Sequence, residues 1–193
     1  MALRVVTPPS DTPVSLIEAK AHLRLEESAD DAYVEQLIES AASHVAVTCE
    51  RALMQQEVEL ISVSPWRSDG AVRLIGGALH NEADLVRVAY LDGNDVEHEL
   101  PLTSCFLVPG GTATPAALFP KASWPTMSSR PDALRVRYRV GWATAAEVPA
   151  PLRHAVLLVV SQLYEFRTPE VTTSIATSGA LEALLAPYRF PSI

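Results

Sequence analysis

Cysteine is scarce in this chain, with Cys49 and Cys105 far apart and no CxxC among 193 residues. That removes a disulfide framework and the usual cysteine-based zinc sites, and suits a reducing compartment. Long apolar runs are missing too. The most apolar stretch, residues 155–160, falls far short of the roughly 20 residues that span a bilayer. The opening "MALRVVTPPSDTP" lacks the apolar segment of a signal peptide, so the expectation is a soluble, unexported chain. Glycine is outnumbered by proline, 8 against 15, which favours stiff loops. Basic charge is in deficit as well: the formal net charge of −8 repels polyanions and gives no general footing on nucleic acid.

Catalytic patterns are likewise absent. There is no G-x-S-x-G, no P-loop, no G-x-G-x-x-G and no H-E-x-x-H, so no nucleophile elbow, phosphate cradle or zinc helix is written into the chain. The histidines His22, His44, His80, His98 and His154 are scattered. "GGALH" and "PGGTATP" hold glycines without a strand–turn–helix frame. The acids Glu26, Glu27, Asp30 and Asp31 suit a helix N-terminus, where the macrodipole favours negative charge, better than a metal or acid–base cluster.

What is present divides into helix, sheet and helix, an α+β arrangement. In "PVSLIEAKAHLRLEES", Ser15 and Glu18 form a capping box ahead of a short helix. A second box, Ser28 with Asp31, is expected to open a longer helix to about Ala52. Its apolar face runs through Tyr33, Leu37, Ala41 and Val45 and is widened by Val34, Ile38 and Ala42. Between residues 57 and 140 the period changes to two. "EVELISV", "ADLVRVAYL" and "DALRVRYRV" read as strands, "LDGND" as a hairpin turn with Gly93 and Asn94 tolerating positive φ, and residues 108–131 as loop.

Helix returns with "EVPAPLRHAVLLVVSQLYEFR", where Pro149 and Pro151 suit a helix start. From Ala155 to Val160 this helix is apolar on every side. Such a helix must be covered all round, by its own core or by a neighbouring subunit. The expected division is a helical part over residues 1–56, a β-rich insertion over 57–146, a helix over 147–167 completing a small helical bundle, and a linker with a docking segment over 168–193. The polar "TPEVTTSIATSG" supplies the linker. Leu181, Leu184, Leu185, Tyr188, Arg189 and Phe190 follow with little chain beyond them to fold over, so they are expected to dock on a partner.

On "RVRYRV", Arg135, Arg137 and Arg139 share one strand face. Three guanidinium groups could hold phosphates, or could pair with Glu97 and Glu99 of "DVEHEL". The negative total favours pairing within the sheet or a contact between subunits.

Taken in order, "VSLIEAKAHLRLEESADDAYVEQLIESAASHVAVTCERAL", "WP" at Trp124, "LRVRYRVGW", "VPAPLRHAVLLVVSQLYEFR" and "LLAPYR" resemble the head–tail connector (adaptor) proteins of long-tailed bacteriophages and gene transfer agents. The resemblance implies a structural part of the virion, not an enzyme and without a cofactor. It implies a ring, commonly dodecameric, beneath the portal protein in the particle neck. Such a ring is made in the host bacterial cytoplasm and contacts neighbouring adaptor subunits and a stopper or tail-completion protein. It also implies that the C-terminal segment grips the portal. DNA would pass without sequence-specific binding, and an acidic wall suits a sliding duplex because it offers no counterion-releasing grip. The alternatives are another neck protein of the stopper kind and, from a different class, a small enzyme with an undescribed site.

Overall fold

The computed structural model describes residues 1–62, 70–77, 79, 81–111, 114–166 and 179–190. The chain begins with strand β1 (Ala2–Thr7), then helices α1 (Leu16–Leu23) and α2 (Asp31–Thr48). The β region holds β2 (Gln56–Ser62), β3 (Val72–Leu74), β4 (Leu85–Leu91), β5 (Glu97–Leu100), β6 (Cys105–Val108), β7 (Ala116–Pro120) and β8 (Leu134–Val140). Helices α3 (Ala150–Glu165) and α4 (Gly179–Leu185) follow.

The Ser15–Glu18 capping box forms as its spacing requires: the Glu18 amide donates to the serine hydroxyl, and the Ser15 amide donates to the glutamate carboxylate. The Ser15 amide chiefly, and then the Ser15 hydroxyl, hold the Glu18 carboxyl below its ordinary value by donating to it, with Arg153 adding charge. Arg153 bridges from α3 to Glu18 and to the Pro13 carbonyl, tying the first helix to the third. The second box does not form. The α2 N-cap is Asp30, with no side-chain cap bond, because both acids are taken elsewhere. The Tyr164 hydroxyl donates to Asp30 at 2.6 Å, and Lys20 pairs with Asp31 at 2.6 Å. The helix also stops earlier than expected, at Thr48, where Glu50 turns to a φ of 52°.

Helices α1 to α4 share one apolar core. Val34, Ile38, Ala41 and Val45 of α2 meet Leu152, Ala155, Val156 and Val160 of α3. The β region has a second core between two antiparallel sheets. One has the order β1-β2-β8-β4-β5 and the other β3-β7-β6. Alternation decides which side chains enter it: Val58 and Leu60 lie opposite Tyr138 and Val136 in register, and all four are buried. The buried Tyr138 hydroxyl donates to the Ile75 carbonyl at 2.7 Å, and burial pushes that phenol above its usual range.

The sheet is larger than its sequence pattern suggests. Strand β1 sits in the part expected to be helical, yet pairs along β2 from Ala2 opposite Ile61 to Thr7 opposite Glu57. Strand β7 and the end of β6 lie in the stretch expected to be loop. The hairpin between β4 and β5 is present, but the residue at positive φ is Asp95, at 63°. Asp92 organises the turn by accepting from the amides of Asn94 and Val96, which leaves Gly93 and Asn94 in ordinary conformations.

The two cores meet where the chain enters β2 and leaves β8. Met54 and Trp142 form an isolated bridge, and the Gln55 amide donates to the Trp142 carbonyl at 2.8 Å. Gly141 has a φ of 92° with the Met54 carbonyl packed where a Cβ would stand, so a side chain there is excluded twice over.

Candidate partner-binding site

The segment expected to dock on a partner docks first on its own domain. Leu181 and Leu185 from α4 enter the helical core, Leu185 with no exposed surface, and Leu184 and Tyr188 pack partly against it. Arg189 pairs with Glu182, seven residues back, at 2.9 Å. This corrects the expectation that the segment has nothing to pack on and that the core is complete before it. The physical reason lies in α3. With apolar residues on every side, it turns one face to α1 and α2 and another to α4. Much of the cover that could have come from a neighbouring subunit is supplied within the chain, while Leu157 and Leu158 stay half-buried. The linker "TPEVTTSIATSG" lies outside the described residues up to position 178.

Beyond α4 the segment is held at Phe190, whose amide donates to the Cys49 carbonyl at 3.4 Å. Its ring lies 4.5 Å from the guanidinium of Arg51, which also faces Trp142 at 5.7 Å. Arg51 is 3% exposed, and burial lowers its pKa from the ordinary arginine value. Aromatic faces on two sides offset part of the lost hydration. Burial also raises the neighbouring Cys49 thiol, so it stays protonated and unreactive. Sequence reasoning missed Arg51; nothing in "ERAL" marks it as buried. The outward side of the segment is formed by Ala180, Ala183, Ala186 and Pro187.

The arginine face is paired inside the chain. Arg135 meets Glu97 at 3.0 Å and Asp132 at 2.9 Å, and Arg137 meets Glu59 at 3.1 Å. Glu99 is taken by Arg87, which also holds Glu97 at 2.7 Å. Arg4 of β1 completes the lattice on Glu59. Of the alternatives left open by the sequence, pairing across strands is the one this sheet displays. Arg87 directly faces Arg137 in register, a repulsive placement unless acids offset it; Glu59 does so from the β2 side and Glu99 from the β5 side. Its place in the alternation of "LVRVAYL" was the available signal for Arg87. The Arg87 hydrogen bond chiefly, then the charges of Arg87 and Arg135, hold the Glu97 carboxyl below its ordinary value. Arg139 remains exposed, opposite Glu57 in register, with no ion pair among the described residues.

The other sequence candidates do not converge. His22 and His154 face each other edge to face at 6.1 Å, and His98 bonds Asp92. Among the described residues no three His, Cys, Asp or Glu side chains gather to hold a metal, and no helix is long and apolar enough to cross a membrane.

With this geometry in view, the chain can be set beside known proteins. Residues 13–85 match the family described as phage gp6-like head-tail connector protein, a stretch running from the first capping box to the start of β4. The resemblance read from the sequence is thereby borne out. The fold as a whole is similar to chains in solved particles of a gene transfer agent. One, described as "Neck of empty GTA particle computed with C6 symmetry", superposes with a TM-score of 0.80 at 22% identity, covering 100% of this chain and 97% of the other. A chain from "Virion of native gene transfer agent (GTA) particle" gives 0.79 at 21%, with the same coverages. A third, from "Neck of native GTA particle computed with C12 symmetry", gives 0.71 at 21%. No curated protein matches the sequence.

Proposed function

We propose that this chain is a structural protein of the virion neck, an adaptor subunit of a ring beneath the portal that extends the DNA channel and carries the tail. The observation behind this reading is the coincidence of two findings. The connector-family match spans the helical pair and the first strands, and the whole chain shares its fold with chains from particle necks. A ring of copies, dodecameric in this proposal, accords with the six- and twelvefold symmetry of those particles.

In this reading the helices act as a small bundle and the β region as an insertion, with β1 reaching back from the start of the chain to edge the sheet. The portal meets the outward side of the 179–190 segment, with half-buried Leu184, Tyr188 and Arg189 at its rim, while Leu181, Leu185 and Phe190 hold the segment on its own domain. The charged sheet face contributes to a subunit contact through Arg139, which has no ion pair among the described residues. A stopper or tail-completion protein binds the opposite end of the ring. The chain has no catalytic role here. Its net charge of −8 gives the duplex little to hold.

The test is a particle assembled without this chain. Filled heads lacking tails, or heads that leak DNA, are expected, with tails restored when the chain is supplied. Normal joining of heads to tails in its absence, or a neck map with no density for it, would overturn the proposal.

A further inference from the structure

Among the described residues, two apolar patches stand out on and beside the β region. One runs along β1, where Met1, Leu3 and Val5 are 48%, 38% and 51% exposed, and Val47 near the end of α2 adds a fourth side chain at 74%. It borders a groove of about 560 Å³ whose lining includes Glu50 and Arg73. The other is the outward face of β6 and β7. There Phe106 and Val108 are 41% and 45% exposed, and Phe106 stacks on Phe119 with centroids 5.2 Å apart. Glu82 and Lys121 line the cleft beside it.

These patches lie at opposite ends of the sandwich. Leu3 packs over Gly76, just past β3, whereas Phe106 shares its cleft with Leu85 of β4. The smaller sheet, β3-β7-β6, therefore crosses the larger one from the β1 side to the β4 side. Both β1 and β6 are edge strands, which leave backbone groups open to another chain. Exposed apolar area of this kind marks an interaction surface. Two unlike patches at opposite ends suit a head-to-tail contact, which closes into a ring when the rotation permits. The rims agree in charge: head-to-tail docking can set Arg73 against Glu82 and Lys121 against Glu50.

We infer that the ring closes through these two patches, the β1 edge of one copy seated against the Phe106–Phe119 face of the next. This rests on the ring reading above and goes beyond it by naming both halves of the contact. The test uses the full-length chain in sedimentation and light scattering up to about millimolar concentration, the range where weak apolar contacts register. The wild type is expected to form multimers. Val5→Asp and Phe106→Asp each spoil one patch, so each alone should stay monomeric. An equal mixture should stop at a dimer containing one of each, because only one sound contact is left per pair.

Self-association of Phe106→Asp alone, association of Val5→Asp alone, or a wild type monomeric at every concentration would overturn the inference. Circular dichroism checks folding. If either variant melts early, Val47→Asp and Val108→Asp, at equally exposed or more exposed positions, carry the same test. Failure here is distinct from failure of the neck reading. Particles whose Val5→Asp and Phe106→Asp subunits still join heads to tails would remove this contact and leave the adaptor role. Mixing behaviour as expected, in a chain absent from necks, would do the reverse.

Discussion

Strand β1 and helix α4 are both short and apolar in sequence, "ALRVVT" and "GALEALL", and the fold uses them in opposite ways. Every residue of β1 is exposed although its backbone is paired along β2. Helix α4 shares no ladder with anything, yet it places Leu185 where no surface is left. Hydrogen bonding and burial are separate forms of attachment. The first fixes a strand without covering its side chains. The second fixes a two-turn helix, too short to be stable alone, by filling a gap on α3.

The sharpest way to break this comparison is Leu185→Ala. Emptying a fully buried leucine site should cost about 3 kcal/mol of unfolding free energy, read from the urea midpoint. A cost below about 0.5 kcal/mol, the range of surface changes, would make α4 as peripheral as the side chains of β1. Next comes Tyr138→Phe, which strands the Ile75 carbonyl in the β core and should cost about 2 kcal/mol. Because Tyr138 belongs to neither element, it gauges what a single buried polar bond contributes in this fold.

Phe190→Leu keeps most of the apolar cover and removes the ring over Arg51, so about 1 kcal/mol should be lost. The same change in an Arg51→Met background should cost less, because the charge that the ring faces is gone; equal costs would remove the cation–π account. At β1 the expected effect is smallest in stability: Val5→Thr should stay within about 0.5 kcal/mol, which a melting curve can resolve.

A pH titration sharpens the picture for the sheet that β1 edges. The Glu97 carboxyl sits below its ordinary value of 4.5. A carboxylate depressed in the folded state contributes stability above its unfolded value, and that contribution is lost as pH falls through the folded value. Between about pH 5 and pH 3 the wild type should therefore lose more stability than Glu97→Gln. Equal losses would mean that the Arg87–Glu97 pair does not report on folding.

The sequence made some of this legible and hid the rest for identifiable reasons. Ser15 and Glu18 could be read because a capping box is local and needs nothing from afar. Strands β2, β4 and β8 could be read because alternation over seven residues is hard to mimic. By contrast β3 has three residues and β6 four, too few for a period to show, and β7 ends in the proline that suggested loop. The second capping box failed through competition: Tyr164 and Lys20 lie 134 and 11 residues from the acids they hold, and such partners leave no mark in the local pattern. The role of α4 was hidden similarly. An all-apolar α3 announces that something covers it, without saying whether that cover belongs to the same chain. Among the arginines, a pairing with Glu97 could be anticipated, but β4 stands between β5 and β8, and Arg87 and Arg4 redistribute the acids once register is fixed.

The meeting of Met54 and Trp142 has one more consequence. The path into the β region and the path out of it run side by side, joined by the Gln55–Trp142 bond, so those two crossings alone would act as a swivel. The lead from β1 into α1, residues 8–15, adds a third crossing from the same sheet. Three attachments fix an orientation that two leave free to rotate. A pull transmitted from one core to the other would then load the β1–β2 ladder lengthwise, where its hydrogen bonds must fail together instead of opening one at a time.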